Sequence, residues 1–357
     1  MMRILLDCRM ASWSGVGRYT TGLASALARR DDIALVVACN PAAAELLTGD
    51  LNAEVFSATS APFSLTGMWE LGRIARAARA DVTHCPHFPT PLPAPHPLVV
   101  TLHDLSPLIV PGLMPSAAKR ALYRAWNHRA VRQANRIVTV SENTARDLAR
   151  FFPVSASKTS VVLSAADDFA RGELGELPSW LEGRRYILSM GNTRPHKDVP
   201  TLVQAFEALP DKDVMLVLVG ADVPGYVASV IGASSERVRF TGPVDDSVLR
   251  RLYTTAELFA FPSLYEGFGL PPLEAMALGT PVITTSAASL PEVVGDAAVV
   301  VPPGDVEALA GALADVLSDN ALRARLSDAG RARAATMTWE RTAKETIAVY
   351  ERVVAEV

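Results

Sequence analysis

At 357 residues, with 49% apolar and 20% charged side chains, the chain has the make-up of a soluble globular protein long enough for two domains. A net charge of −4 argues against nucleic acid as the main partner. No apolar run reaches the ~18 residues of a membrane span, and three cysteines without paired spacing (Cys8, Cys39, Cys85) point to a reducing cytoplasm without structural zinc.

The opening stretch, Met1 to Ala11, carries Arg3, Asp7 and Arg9 around Ile4-Leu5-Leu6, and reads as a first strand, not a signal peptide. Short β-branched strands then alternate with helical stretches. Strands are predicted at Arg3–Asp7, Ile33–Ala38, Asp81–His84, Leu98–Leu102, Arg136–Val140 and Ser160–Leu163. Helices are predicted at Gly17–Arg30, Thr66–Arg79, Pro115–Asn135 and Glu142–Phe152. Such alternation predicts a parallel sheet with helices on both faces.

Ser164 to Arg185 breaks the pattern with Asp167-Asp168, Gly172, Gly175, Pro178 and Gly183, and reads as a linker. The alternation restarts with strands at Tyr186–Met190, Val214–Val219, Arg237–Thr241, Leu258–Phe261, Val282–Thr285 and Ala298–Val301. The accompanying helices are Asp198–Leu209, Asp245–Thr255, Pro271–Leu278, Val306–Ser318, Ala321–Ala334 and Trp339–Val354. Two doubly wound domains are expected, with substrate near the carboxyl ends of their strands. Charge divides along the same line: residues 1–165 hold 17 Lys+Arg and 11 Asp+Glu, the remainder 17 and 27. A basic first half and an acidic second half imply different partners.

The most informative stretch is Glu266-Gly267-Phe268-Gly269-Leu270-Pro271-Pro272-Leu273-Glu274. It follows the buried strand Leu258–Phe261 and gives the order strand, glycine turn, helix. Pro271 and Pro272 suit the first helical turn and Gly279 the stop. Backbone N–H groups of the turn and helix start favour a phosphate or a sugar hydroxyl. Gly267 and Gly269 let a ligand approach the backbone closely. Each carboxylate can accept from two adjacent hydroxyls, so the pair suits a nucleotide-sugar. The alternative for any such pair is a solvated acidic loop; the Pro-Ser-x-x-Glu-Gly-Phe-Gly context favours binding.

Other candidates carry open alternatives. Gly191-Asn192-Thr193-Arg194-Pro195-His196-Lys197-Asp198 is a strand-to-helix turn whose Arg194 and Lys197 suit a diphosphate, or an exposed basic turn. Gly15-Val16-Gly17 is an anion cradle or a plain tight turn. His103, ending a strand, suits a sugar hydroxyl or is structural. His84-Cys85-Pro86-His87 lacks the further ligand a metal needs and reads as loop shaping. Asp211-Lys212-Asp213 lies at the amino end of its strand, the wrong side for a metal–nucleotide site, and reads as a solvated turn. Between Pro115 and Arg136 lie Lys119, Arg120, Arg124, Arg129, Arg132 and Arg136 with no acidic residue: a solvated helix by default, or a patch for anionic lipid.

Together these residues resemble glycosyltransferase family 4, the retaining nucleotide-sugar transferases of the GT-B fold, over essentially the whole chain. The resemblance implies an α/β GT-B fold: two Rossmann-like doubly wound domains facing a central cleft, with a C-terminal helix crossing back to the first domain. The expected division is an acceptor-side domain at 1–165 plus 339–357, a linker at 166–185, and a nucleotide-sugar domain at 186–338. It further implies that Glu266 contacts the donor sugar and Glu274 the ribose hydroxyls. Gly267, Phe268, Gly269 and Leu270 offer backbone donors, and Lys197 binds phosphate. Asn192 stands where the family often has an arginine, and Arg194 lies two residues later. Gly15 and Gly17 match the glycine loop near the diphosphate, and His103 a histidine tied to donor sugar and catalysis.

The stretches Ser14-Gly15-Val16-Gly17-Arg18-Tyr19-Thr20, Leu102-His103-Asp104-Leu105 and Pro195-His196-Lys197 are similar to a subgroup rich in bacterial mannosyltransferases that build surface glycans from GDP-mannose. The expectation is retaining hexosyl transfer, with His103, Glu266, Lys197 and Arg194 at the chemistry and neither metal nor cofactor required. The acceptor is expected to be a glycan or lipid-linked glycan, with a peripheral contact of the basic half on the inner membrane face. A UDP-sugar donor and a GT-B sugar-nucleotide epimerase are the alternatives.

Overall fold

The computed structural model describes residues 1–47, 51–153, 158–191, 194–221, 225–231 and 235–356. The chain divides into two compact units, Met1–Ala165 with Trp339–Val357, and Ala166–Thr338.

The first unit contains β1 (Met2–Asp7), α1 (Ser14–Ala28), β2 (Ile33–Cys39), α2 (Pro41–Leu47), β3 (Glu54–Ser57), α3 (Leu65–Ala78) and β4 (Val82–Cys85). It continues through β5 (Leu98–Leu102), α4 (Ser106–Ile109), α5 (Ala117–Gln133), β6 (Arg136–Thr139), α6 (Glu142–Phe151) and β7 (Thr159–Val161). The second unit holds α7 (Asp167–Ala170), β8 (Arg185–Met190), α8 (Val199–Glu207), β9 (Val214–Val219), α9 (Tyr226–Ile231), β10 (Val238–Phe240) and α10 (Asp246–Thr255). Then follow β11 (Leu258–Phe261), α11 (Leu270–Ala277), β12 (Val282–Thr285), α12 (Leu290–Val294), β13 (Val299–Val301), α13 (Val306–Ser318) and α14 (Asn320–Ala334). The last helix, α15 (Trp339–Ala355), belongs to the first unit.

Both sheets are parallel. Their orders are β3-β2-β1-β4-β5-β6-β7 and β10-β9-β8-β11-β12-β13. Each has the Rossmann order, in which the chain reverses direction across the sheet beside the first strand. The reversals fall between β1 and β4 and between β8 and β11, and ligand crevices form outside the strand carboxyl ends at such points. The central strands carry continuous apolar runs because helices cover both faces; β9, Val-Met-Leu-Val-Leu-Val, is buried throughout.

α15 is fixed in the first unit by interlocking side chains. A Cβ on Gly22 of α1 would lie 2.1 Å from the Trp339 ring, so the glycine makes room for it. Tyr350 and Thr101 hydrogen-bond opposite nitrogens of the buried His84 ring at 2.6 and 2.8 Å. Burial, with His103 nearby, pushes the His84 pKa down to about 3. His84 is thus a neutral clamp between β4, β5 and α15.

Several short elements escape the periodicity, α2, β3, α9 and α12 among them. Asn40-Pro41 starts α2: Asn40 Oδ1 accepts from the Ala43 N–H at 2.9 Å, and proline suits a first turn. β3 is a short edge strand, largely exposed, without an apolar alternation. α9 and α12 have 6 and 5 residues, too short to establish a helical period. The stretch expected as a linker carries α7 and a 3-10 turn at Ser179–Leu181, with Phe169 and Leu181 buried, and groups with the second unit.

Candidate active site

In the second unit, two loops leave the carboxyl ends of the neighbouring strands β8 and β11. The first begins at Gly191, whose N–H donates to Val219 O at 2.7 Å; a Cβ here would meet the Phe240 ring at 3.0 Å. Asn192 lies outside the described residues. Arg194 is exposed and precedes the 3-10 turn Pro195–Lys197, and its carbonyl accepts the Lys197 N–H at 2.9 Å.

The second loop holds the glutamate motif. Lys197 Nζ donates to Glu266 Oε1 at 2.6 Å, with both side chains mostly buried, and sits 5.3 Å from the centre of the Phe261 ring. His196 O accepts the Leu264 N–H at 2.7 Å, a second tie between the loops. The fold therefore joins Lys197 to Glu266, 69 positions apart in sequence.

The glycine turn is held from below. Ser289 Oγ shares its proton between Glu266 O at 2.9 Å and Phe268 O at 2.5 Å. Gly269 has φ +127°, and a Cβ there would stand 3.0 Å from Leu290 Cδ2, so backbone strain and packing both call for glycine. α11 opens at Leu270 with Pro271 and Pro272, which carry no N–H, in its first turn. Glu274, one turn into α11, is only 3% exposed. The helix stops in a Schellman motif: Gly279 N–H donates to Met276 O and Thr280 N–H to Ala275 O, both at 2.9 Å.

In the first unit, β1 runs into a buried ion pair that charge reading alone passed over. Arg9 meets Asp7 through two 2.8 Å bonds and donates a third to Gly67 O at 2.7 Å, bracing the loop before α1. Gly15 and Gly17 lie in the first turn of α1 and differ in kind. Gly17 N–H donates to Trp13 O, and a Cβ on Gly17 would lie 2.3 Å from Ala11 O, so this glycine serves close packing. Around Gly15 there is open space, suited to a ligand against the backbone.

His103 follows β5. Its Nε2 donates to Pro86 O at 2.8 Å, and its ring packs edge-on against Tyr19. Burial lowers the His103 pKa; the Pro86 bond and Asp104 oppose this only partly. The neutral ring therefore keeps its proton on Nε2 and offers Nδ1 as an acceptor. His87 packs against Phe88 and Phe63, and burial holds its pKa down to about 3.

Among the described residues no group of three or more His, Cys, Asp or Glu is placed to hold a metal ion. Asp211 pairs with Arg185 at 2.9 Å and accepts the Asp213 N–H at 2.9 Å, the braced turn at a strand's amino end that its position implied. No helix of the described residues is long and apolar enough to cross a membrane.

Two family models match. The one described as Glycosyltransferase Family 4 covers residues 13–168, and Glycosyl transferases group 1 covers residues 178–333. The chain is 34% identical over 275 residues to O-antigen chain mannosyltransferase B of Escherichia coli, a match spanning 72% of this chain and 71% of that protein.

This chain belongs to glycosyltransferase family 4.

A second family member, the MMP alpha-(1->4)-mannosyltransferase of Mycolicibacterium hassiacum, is 35% identical over 282 residues, 73% of this chain and 66% of that one. The sucrose-phosphate synthase of Thermosynechococcus elongatus shares the fold at a TM-score of 0.79 and 20% identity, over 100% of both chains. The protein is thus a mannosyltransferase-like glycosyltransferase of family 4 with the GT-B fold. Its Gly15, Gly17 and His103 fall within one family match, and Lys197, Glu266 and Glu274 within the other.

The supports that sequence reasoning missed are the Asp7–Arg9 pair and Ser289. Opposite charges two residues apart at the end of an apolar strand were a usable signal for the pair. Ser289 had none, since only the packing of α12 brings it under the turn.

Proposed function

We propose that this glycosyltransferase moves mannose from GDP-mannose to a glycan or lipid-linked glycan, with retention at the anomeric carbon, in surface polysaccharide synthesis. The observation that carries the reading is the Lys197–Glu266 pair beside the glycine turn, at the reversal point of the second sheet. The mannosyltransferase relatives support the choice of sugar.

The reaction breaks the bond between the anomeric carbon and the β-phosphate oxygen. The acceptor oxygen bonds to that carbon from the same face, and its proton passes to the leaving phosphate. Charge builds on the diphosphate, which Lys197, Arg194 and the donors of the glycine turn are suited to stabilise without a metal ion. An arriving phosphate would draw Lys197 from Glu266 and free that carboxylate for the sugar hydroxyls. Glu274 is assigned to the ribose. Neutral His103, with Nδ1 as acceptor, suits a donor-sugar hydroxyl and not the role of general acid.

The basic half is assigned a peripheral contact with anionic lipid on the cytoplasmic membrane face. Exposed Lys119, Arg124 and Leu122 on α5 support this; Arg120 and Arg129 serve inside the unit, bonded to Leu108 O and to Thr90 and Pro91.

A thermal-shift series with GDP-mannose, UDP-glucose, ADP-glucose and TDP-glucose tests the donor. GDP-mannose should give the largest shift, and a larger one from a UDP-sugar would replace the assignment. NMR of the product reads its anomeric configuration, and excess chelator should leave turnover intact.

A further inference from the structure

Trp13 is out of place by every local rule. It occupies the position before α1, where Ser, Thr, Asn or Asp would cap the helix, and makes no side-chain cap bond. It also stands 49% exposed. Half of this large aromatic side chain is thus left to solvent at the head of α1.

What surrounds it is a rigid stack. Trp13 lies over Phe63 at 5.4 Å between ring centres and 30° between planes. Phe63 lies over Trp126 at 6.0 Å and 10°. The three rings come from the start of α1, the loop before α3, and α5. Phe63 also meets the edges of His87 at 5.5 Å and Phe88 at 5.3 Å. His87 in turn lies 6.3 Å from His103. An unbroken chain of ring contacts thus leads from the histidine assigned to the donor sugar out to an exposed indole. Two residues further on, at the start of α1, Gly15 leaves open space at the backbone.

We propose that Trp13, backed by Phe63 and Trp126, is the platform on which a pyranose ring of the glycan acceptor stacks. The inference rests on the transferase reading above and deepens it. A pyranose has one face of C–H groups and a rim of hydroxyls. A flat, backed indole matches the face, and the open backbone at Gly15 gives the rim a polar neighbour. An indole backed by stacked rings suits a flat ligand. A flexible lipid chain would be better received by mobile Leu and Met side chains. Trp13 is therefore a positioning residue for the acceptor, without contact to the reacting phosphate.

The test uses the full chain and two separate readouts. Binding of α-mannotriose, maltotriose and cellotriose is followed by saturation-transfer NMR, and binding of GDP-mannose by thermal shift. Trp13→Ala should weaken trisaccharide binding at least tenfold and leave the GDP-mannose shift unchanged. Trp13→Phe should retain most of the trisaccharide binding. Trp69→Ala, which removes another exposed indole (59% exposed), should change neither. Undiminished trisaccharide binding by Trp13→Ala overturns the platform, as does wild-type protein that binds GDP-mannose but no trisaccharide. Trisaccharide binding that depends on Trp13, in a protein that GDP-mannose does not shift, would uphold the platform and overturn the donor assignment.

Discussion

The two sheets share one strand order, yet the loops at their carboxyl ends are built on opposite terms. In the second unit the loops after β8 and β11 meet through an ion pair, Lys197–Glu266, above a turn pinned by Ser289. In the first unit the loops after β4 and β5 present His87 and His103, both held neutral by burial, among aromatic rings. A diphosphate needs compensating charge, and a sugar needs apolar faces and hydrogen-bond acceptors. One scaffold thus carries two chemistries, set by what its loops bury and what they pair.

The sharpest way to break this comparison is to remove the charge on the second unit. Lys197→Ala should lower kcat/KM by roughly 10²–10³, the usual cost of losing one preorganised electrostatic stabiliser. Circular dichroism should show the fold intact; a loss below tenfold would mean that another cation carries the phosphate. Next in size is His103→Ala, expected to cut kcat about ten- to a hundredfold with a smaller rise in donor Kd, the loss of one hydrogen bond that tightens at the transition state. A variant whose donor Kd rises as much as kcat falls would end the assignment.

Glu274→Ala should weaken GDP-mannose binding by about 1–3 kcal/mol, as expected for a lost charged hydrogen-bond acceptor, with a smaller effect on kcat. Equal losses from Glu274→Ala and His103→Ala in both quantities would erase the division of labour. Gly269→Ala, at φ +127° against Leu290, should destabilise the second unit by about 1–3 kcal/mol in urea.

A pH dependence sharpens the first-unit side. His84 and His87 have folded pKa values near 3, well below the ordinary imidazole value of about 6.5. Between those values the unfolded chain binds protons that the folded one refuses. Stability is therefore fully present above about pH 6.5 and falls with acidification, by about 1.4 kcal/mol per pH unit for each group. Urea midpoints at pH 7.5 and 5.5 should show that slope, and His87→Phe should roughly halve it. An unchanged slope would mean that His87 is not buried neutral.

Much of the fold was legible in the residues alone. Both parallel sheets followed from strands of Val, Ile, Leu and Phe recurring between helical stretches, because parallel strands covered on both faces need continuous apolar runs. The strand, glycine turn and helix at 258–279 could be read to its last capping glycine, since Gly and Pro act through their own backbone geometry. The short α9 and α12 were not legible, being held by packing and not by periodicity. Nor was the tie between Lys197 and Glu266, because neither residue's neighbours encode the other's position.

The sequence by itself determined the fold class, the glycine turn and the family, for these rest on local geometry and on the spacing of residue types. Tertiary structure decided what each residue does within that frame. It took His84 from loop shaping to a neutral clamp for α15, separated an open Gly15 from a packed Gly17, and stacked Trp13 on Phe63 and Phe63 on Trp126. Burial sets a titration, and contact across the sheet sets a partner. Both depend on residues distant in the chain, which only folding brings together.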